Sequence, residues 1–248
     1  MGRRMRWTAF AIACAATAML IPAAGAQANT VTLGSQFQGT MESSFLDGGE
    51  GTVVGTTLPA PLVAGAPSDG TIVDWRFSGS PATWIPQIVR PLGGDKFTEG
   101  ARGPTQQGAG VGTISGPFPL AIPVKRGDLI GIIGKAFSHL GVFIDTPAVY
   151  GYFVPPLAPG DSRAADFGGP GAEHAISATL RFCLVPSLRG KKPKAAKKAL
   201  KAADCTFGGK SKSKKRRKKK KVVGQSVAPG SSISDTAPVA IKVSRPKT

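Results

Sequence analysis

The chain has 248 residues, among them three cysteines and two histidines, and a formal charge of +18. Two histidines are too few for a histidine-built metal centre, and 33 glycines with 21 prolines favour short strands and many turns over long helices. The charge is segregated: residues 1–182 carry twelve Lys or Arg against twelve Asp or Glu, and residues 183–248 carry twenty against Asp204 and Asp235, so the whole excess lies in the tail.

Residues 1–28 read as a secretory signal peptide. Met1 to Trp7 is positively charged, Thr8 to Ala24 is an alanine-rich apolar run, and Ala24-Gly25-Ala26 and Ala26-Gln27-Ala28 both fit an A-x-A cleavage site. The seventeen residues of that run sit at the short, weakly apolar limit for a membrane span. Arg3-Arg4 lacks the polar residue ahead of it and the Phe behind it that twin-arginine export uses. Cys14 lacks the Leu three residues earlier that a lipid-attachment site carries.

Residues 29–182 alternate apolar and polar positions with period two, the mark of strands with one buried face. In Thr71 to Phe77, Val73, Trp75 and Phe77 alternate with Asp74 and Arg76; in Ala175 to Phe182, Ile176, Ala178, Leu180 and Phe182 alternate with Ser177, Thr179 and Arg181. Further strands are predicted at Thr52 to Leu58, Ile85 to Val89, Leu120 to Val124, Leu129 to Ile133, Val142 to Ile144 and Ala148 to Val154. Turn clusters separate them at Pro67 to Gly70, Leu92 to Asp95 and Arg126 to Asp128. The pattern predicts a mainly β body, an antiparallel β-sandwich of jelly-roll type, long enough to bury its own core. Trp75-Arg76, Arg90-Pro91 with Gly93-Gly94, and the run Ile122 to Gly131 resemble β-sandwich domains of unknown function found in exported bacterial proteins. That resemblance implies the architecture and no ligand.

Chemistry-bearing motifs are sparse in the body. His139 and His174 lie in no metal or nucleophile motif and read as ordinary loop or strand histidines. Gly108 to Gly112 reads as turn glycines rather than a phosphate loop, and Arg126-Gly127-Asp128 as a hairpin turn rather than an adhesion tripeptide. Trp84, Tyr150 and Tyr152 are the candidates for a sugar-stacking platform, against the competing demand of the core for aromatics.

With the signal removed, Cys183 and Cys205 remain, and in an oxidising compartment they have one possible pairing. The tail then follows a more specific pattern. Cys183-Leu-Val-Pro-Ser-Leu-Arg-Gly190 precedes a helix-like stripe of Ala195, Ala196, Ala199, Leu200 and Ala203, with Pro193 suited to its first turn. Gln225-Ser-Val-Ala-Pro-Gly230 follows the lysines, and Val239, Ile241 and Val243 alternate as a closing strand. These segments resemble the PASTA domain, whose V-P-x-L-x-G, A-x-x-x-L helix, Q-S-x-x-P-G turn and V-x-I-x-V strand fall on Val185 to Gly190, Ala196 to Leu200, Gln225 to Gly230 and Val239 to Val243. The resemblance implies a small α+β module at 183–248, one helix on a three-stranded sheet, extracellular, noncatalytic and directed at peptidoglycan, and members with two such cysteines pair them.

Lys210 to Lys221 departs from that pattern. Lys210, Lys212, Lys214, Lys215, Arg216, Arg217, Lys218, Lys219, Lys220 and Lys221 place ten cations in twelve residues. Their repulsion predicts an extended, mobile loop that captures polyanions by counterion release. The sequence thus points to a secreted, non-enzymatic, wall-associated protein without a cofactor, binding peptidoglycan or other anionic wall polymers. The competing reading is an extracellular nucleic-acid binder, because Lys191 to Ala199 resembles a linker-histone tail; an exported hydrolase built on His139 or His174 is a third.

Overall fold

The computed structural model describes residues 29–45, 49–217 and 219–246, with residues 45 and 215–217 described by their backbone alone. The predicted signal peptide at 1–28 and Lys218 lie outside the described residues.

The strands of the body are Thr30–Gly34 (β1), Glu42–Phe45 (β2), Gly51–Thr57 (β3), Gly70–Gly79 (β4), Thr83–Gly93 (β5), Lys96–Arg102 (β6), Gln106–Gln107 (β7), Gly110–Val124 (β8), Leu129–Gly134 (β9), His139–Phe153 (β10), Phe167–His174 (β11) and Ile176–Arg181 (β12). All their pairings are antiparallel. The hydrogen-bonded path runs β1-β12-β4-β10-β3-β9-β5-β6, with β8 added to β4, β2 and β11 to β10, and β7 to β5.

This path folds back on itself. A side chain at Gly34 of β1 would meet Ile130 of β9, 2.6 Å from its Cδ1, although β1 and β9 stand far apart along the path. Two layers therefore face each other, and one core draws Ile72, Trp75 and Phe77 from β4, Leu180 from β12, Trp84 and Ile88 from β5, and Ile132 from β9. The predicted strands at Val142 to Ile144 and Ala148 to Val154 are one strand, β10, bent by register shifts between Ile144 and Val149. Its first half pairs with β2 and its second half with β3.

Trp75 and Phe77 are fully buried as the alternation predicts. Val73 is not their partner: Asp74 pairs with Thr179 and Ile72 with Leu180, which makes Val73 the extra residue of a bulge and turns Ile72 inward instead. The demand of the core for aromatics prevails over the sugar platform. Trp84 is fully buried, its Nε1 donating to Ser80 O at 3.1 Å, and Tyr152 is buried with its hydroxyl donating to Gly49 O at 2.8 Å. Tyr150 is half-buried and packs edge-on against His174, ring centroids 4.8 Å apart.

The tail forms a smaller C-terminal domain: Cys183–Leu184 (β13), Pro193–Ala202 (α1), Thr206–Arg217 (β14), Val222–Gln225 (β15), Ser232–Ile233 (β16) and Pro238–Pro246 (β17). β17 lies between β14 and β15, and β13 pairs with β16. The alanine stripe buries Ala196 and Leu200 of α1 against Val185, Leu188, Val222, Val239 and Ile241. Cys183 and Cys205 are joined in a disulfide at one end of this core. The lysine-rich loop expected over 210–221 is corrected: Lys210 to Arg217 continue β14, paired with β17 as far as Pro246.

Candidate polyanion-binding groove

The site arises from the way the basic segment joins the sheet. β14 and β17 run parallel, with Phe207 opposite Val239, Lys210 opposite Ile241 and Lys212 opposite Val243. Between Phe207 and Lys210 the first strand carries one residue more than its partner. Gly208 and Gly209 absorb it: Gly209 has φ +98°, and a Cβ on Gly208 would come 2.9 Å from Pro238 Cβ.

Paired residues of neighbouring strands share a face. The bulge therefore brings Lys210 and Lys212 onto the side where Ile241 and Val243 are buried. Both lysines are nonetheless exposed, because this end of the sheet borders a groove of about 680 Å³. Lys220, Arg245 and Pro193 at the start of α1 complete its walls.

α1 sharpens the electrostatics. Its N-cap, Lys192, makes no side-chain cap hydrogen bond, Pro193 follows, and its first turn holds no acid. The positive end of the helix dipole thus lies at a wall that already carries four cations, with Lys191, Lys192 and Lys194 around it. A cation at a helix N-terminus is unfavourable by about 0.3–1 kcal/mol. Neither acid of the tail offsets this: Asp235 accepts from Thr71 Oγ1 at 2.7 Å and Arg181 Nε at 2.9 Å, and Asp204 follows the helix. Among the described residues no carboxylate lines the groove.

Of the sequence candidates, Lys210, Lys212 and Lys220 meet at the groove; Lys214 and Lys219 are exposed outside its lining. Lys221 is half-buried, its N–H donating to Ser244 Oγ at 3.0 Å. Lys215, Arg216 and Arg217 lie on β14 without described side chains. Sequence reading missed Arg245, yet the signal was present: it stands two residues beyond Val243 in the same period-two row. The histone-like run is not a free tail, because Pro193–Ala202 is a packed helix.

One side chain, Gln225, adds links between the segments of the surrounding frame. Gln225 Oε1 accepts from Leu188 N at 3.0 Å, and its Nε2 donates to Pro186 O at 3.2 Å and Val227 O at 2.8 Å. The V-P-x-L segment, the Q-S turn and the sheet are thus locked to one another. Residues 184–245 match the PASTA domain. PASTA domains are noncatalytic, wall-related binding modules; within the matched residues Val185, Leu188, Ala196, Leu200 and Val239 are buried in one core, and Gln225 ties its segments together. No curated protein and no solved structure matches the chain.

The body offers little competing chemistry. His139 Nδ1 is 2.8 Å from Ser43 Oγ. His174 is buried, and burial pushes its pKa down to about 4. The Asp128 carboxylate of the Arg-Gly-Asp turn is 2% exposed and is held by Arg90 through two hydrogen bonds of 2.8 Å, so it is closed to a receptor. Among the described residues no group of three His, Cys, Asp or Glu side chains is placed to hold a metal, and no helix is long and apolar enough to cross a membrane.

Proposed function

We propose that the protein is exported, is not an enzyme, and is retained at the cell wall by its PASTA domain, which grips peptidoglycan or other anionic wall polymers through the groove between β14, β17 and the start of α1. The observation that carries this reading is the convergence of Lys210, Lys212, Lys220 and Arg245 on one groove without an acid among its lining residues. A polyanion laid there releases its condensed counterions, so binding is favourable and falls with salt. Lys214 on β14 and Lys219 beyond its end, both exposed, extend the same field past the groove. The sandwich is then the unit displayed at the wall.

Side-by-side titration of the purified protein with isolated cell-wall sacculi and with duplex DNA tests the choice of polymer. Tighter, saturable binding to sacculi is expected. A strong preference for DNA contradicts the wall reading and favours a nucleic-acid partner.

A further inference from the structure

The outer side of α1 carries a second concentration of charge. Lys194, Lys197, Lys198 and Lys201 are all exposed and stand at i, i+3, i+4 and i+7. At 3.6 residues per turn they fall within an arc of about 100° and span about 10 Å of the helix axis. Ala196 and Leu200, which α1 buries in the domain core, lie on the opposite side. Exposed Lys191 and Lys192, just ahead of Pro193, add two further charges.

This face is not built as an ordinary solvated surface. Such a surface sets Glu against Lys three or four positions apart. Here every pair at those spacings repels: Lys194 with Lys197 and Lys198, and Lys201 with the same two. No Asp or Glu occurs between Cys183 and Ala203, and among the described residues none of the four lysines is in an ion pair. Lys197 Nζ lies instead 5.6 Å from the centroid of the Phe207 ring on β14, which ties one edge of the row to the sheet. The repulsion is a standing cost to the free helix, and an anionic partner removes it.

Shape decides which partner. Of the residues of α1 only Pro193 lines the groove; the lysine row lies on the convex side of the helix, with the exposed Ala195 and Ala202 beside it. A convex row cannot enclose a polymer chain, but it meets a plane along its whole length. An anionic bilayer offers such a plane, and clusters of four or more basic residues on an amphipathic helix are what it captures. Anchoring in the acyl region takes Trp, Phe or Leu; the alanines beside the row are too small for it, so contact stops at the headgroups. We propose that the lysine face of α1 docks on the surface of an anionic phospholipid bilayer, reversibly and by charge alone. The inference goes beyond the wall reading and does not rest on it.

The test is flotation of the purified full chain with two kinds of vesicle, phosphatidylcholine alone and phosphatidylcholine mixed with phosphatidylglycerol in equal parts. Binding to the mixed vesicles only is expected. The variant Lys194→Gln, Lys198→Gln, Lys201→Gln keeps good helix formers at exposed positions and leaves the Lys197 contact with Phe207 in place. It is expected to bind the mixed vesicles about a hundredfold more weakly, at about fivefold for each charge removed, and to sediment with sacculi as the wild type does. The matching variant with Arg at the three positions is expected to bind the vesicles normally. The groove variant Lys210→Gln, Lys212→Gln, Lys220→Gln, Arg245→Gln is expected to keep its vesicle binding, so failure of the wall reading and failure of this one show in different variants. The proposal is overturned by no binding to the mixed vesicles or equal binding to both kinds, by a helix variant that floats like the wild type, by a helix variant that loses sacculi, or by a groove variant that loses the vesicles as fully as the helix variant does.

Discussion

Arg181 of the sandwich donates from Nε to Asp235 of the PASTA domain at 2.9 Å, and Asp235 is only 7% exposed. Thr71 Oγ1 supplies a second hydrogen bond at 2.7 Å, and Asn29 Nδ2 a third link between the units, to Ala203 O at 3.1 Å. One of the two acids in the lysine-rich tail is thereby committed to the sandwich, and the groove keeps its uncompensated charge.

Because Asp235 is buried between its donors, removing either side leaves an unsatisfied group. Asp235→Ala and Arg181→Met are each expected to lower stability by about 2 kcal/mol, and the double variant by less than the two together. Urea unfolding of the three variants measures the coupling. Strict additivity would show that the pair does not clamp the units.

Cys183 and Cys205 are 22 residues apart, and closing that loop restricts the unfolded chain by roughly 3 kcal/mol. Replacing both by Ser is expected to destabilise the PASTA domain by about that amount and to spare the sandwich. Two resolved unfolding transitions, only the lower of which moves, are the expected result.

His174 gives the stability a pH dependence with a definite sign. Burial lowers its folded pKa from 6.5 to about 4, so below pH 6.5 the unfolded chain takes up a proton that the folded one refuses. The stability it contributes is present above pH 6.5 and is lost as the pH falls, by about 3 kcal/mol at pH 4. His174→Leu, which keeps the packing against Tyr150, is expected to flatten the unfolding free energy over that interval. An unchanged slope in the variant would assign the acid sensitivity elsewhere.

The period-two rows made much of this fold readable. Ile176, Ala178 and Leu180 turn inward on β12 as the sequence predicts, because both neighbours of that strand pair without a shift over Ile176 to Ala178. Val73 fails because a bulge is a tertiary property: its cost is set by two neighbouring strands, neither visible from its own segment. That the core would claim most aromatics was legible from their scarcity, and Trp84 and Tyr152 are buried accordingly; which of them it would claim was not, because one sequence cannot say which face of a two-sided strand meets the second layer. The PASTA frame was legible through Gln225 and the valine row, where side-chain chemistry and spacing coincide. Strand order within the basic run was not, since lysine repulsion argues for a mobile loop and only the partner strand β17, with the glycine pair at 208–209, offsets it.

The central claim is that the cationic groove holds the protein on the wall. The most direct measurement is co-sedimentation with purified sacculi across roughly 50–200 mM salt for the wild type and for the variant Lys210→Gln, Lys212→Gln, Lys220→Gln, Arg245→Gln. The wild type is expected to bind at low salt and to weaken steeply as salt rises, and the variant to bind at least about tenfold less with a flatter dependence. Equal binding with the same salt slope in both proteins would contradict the account.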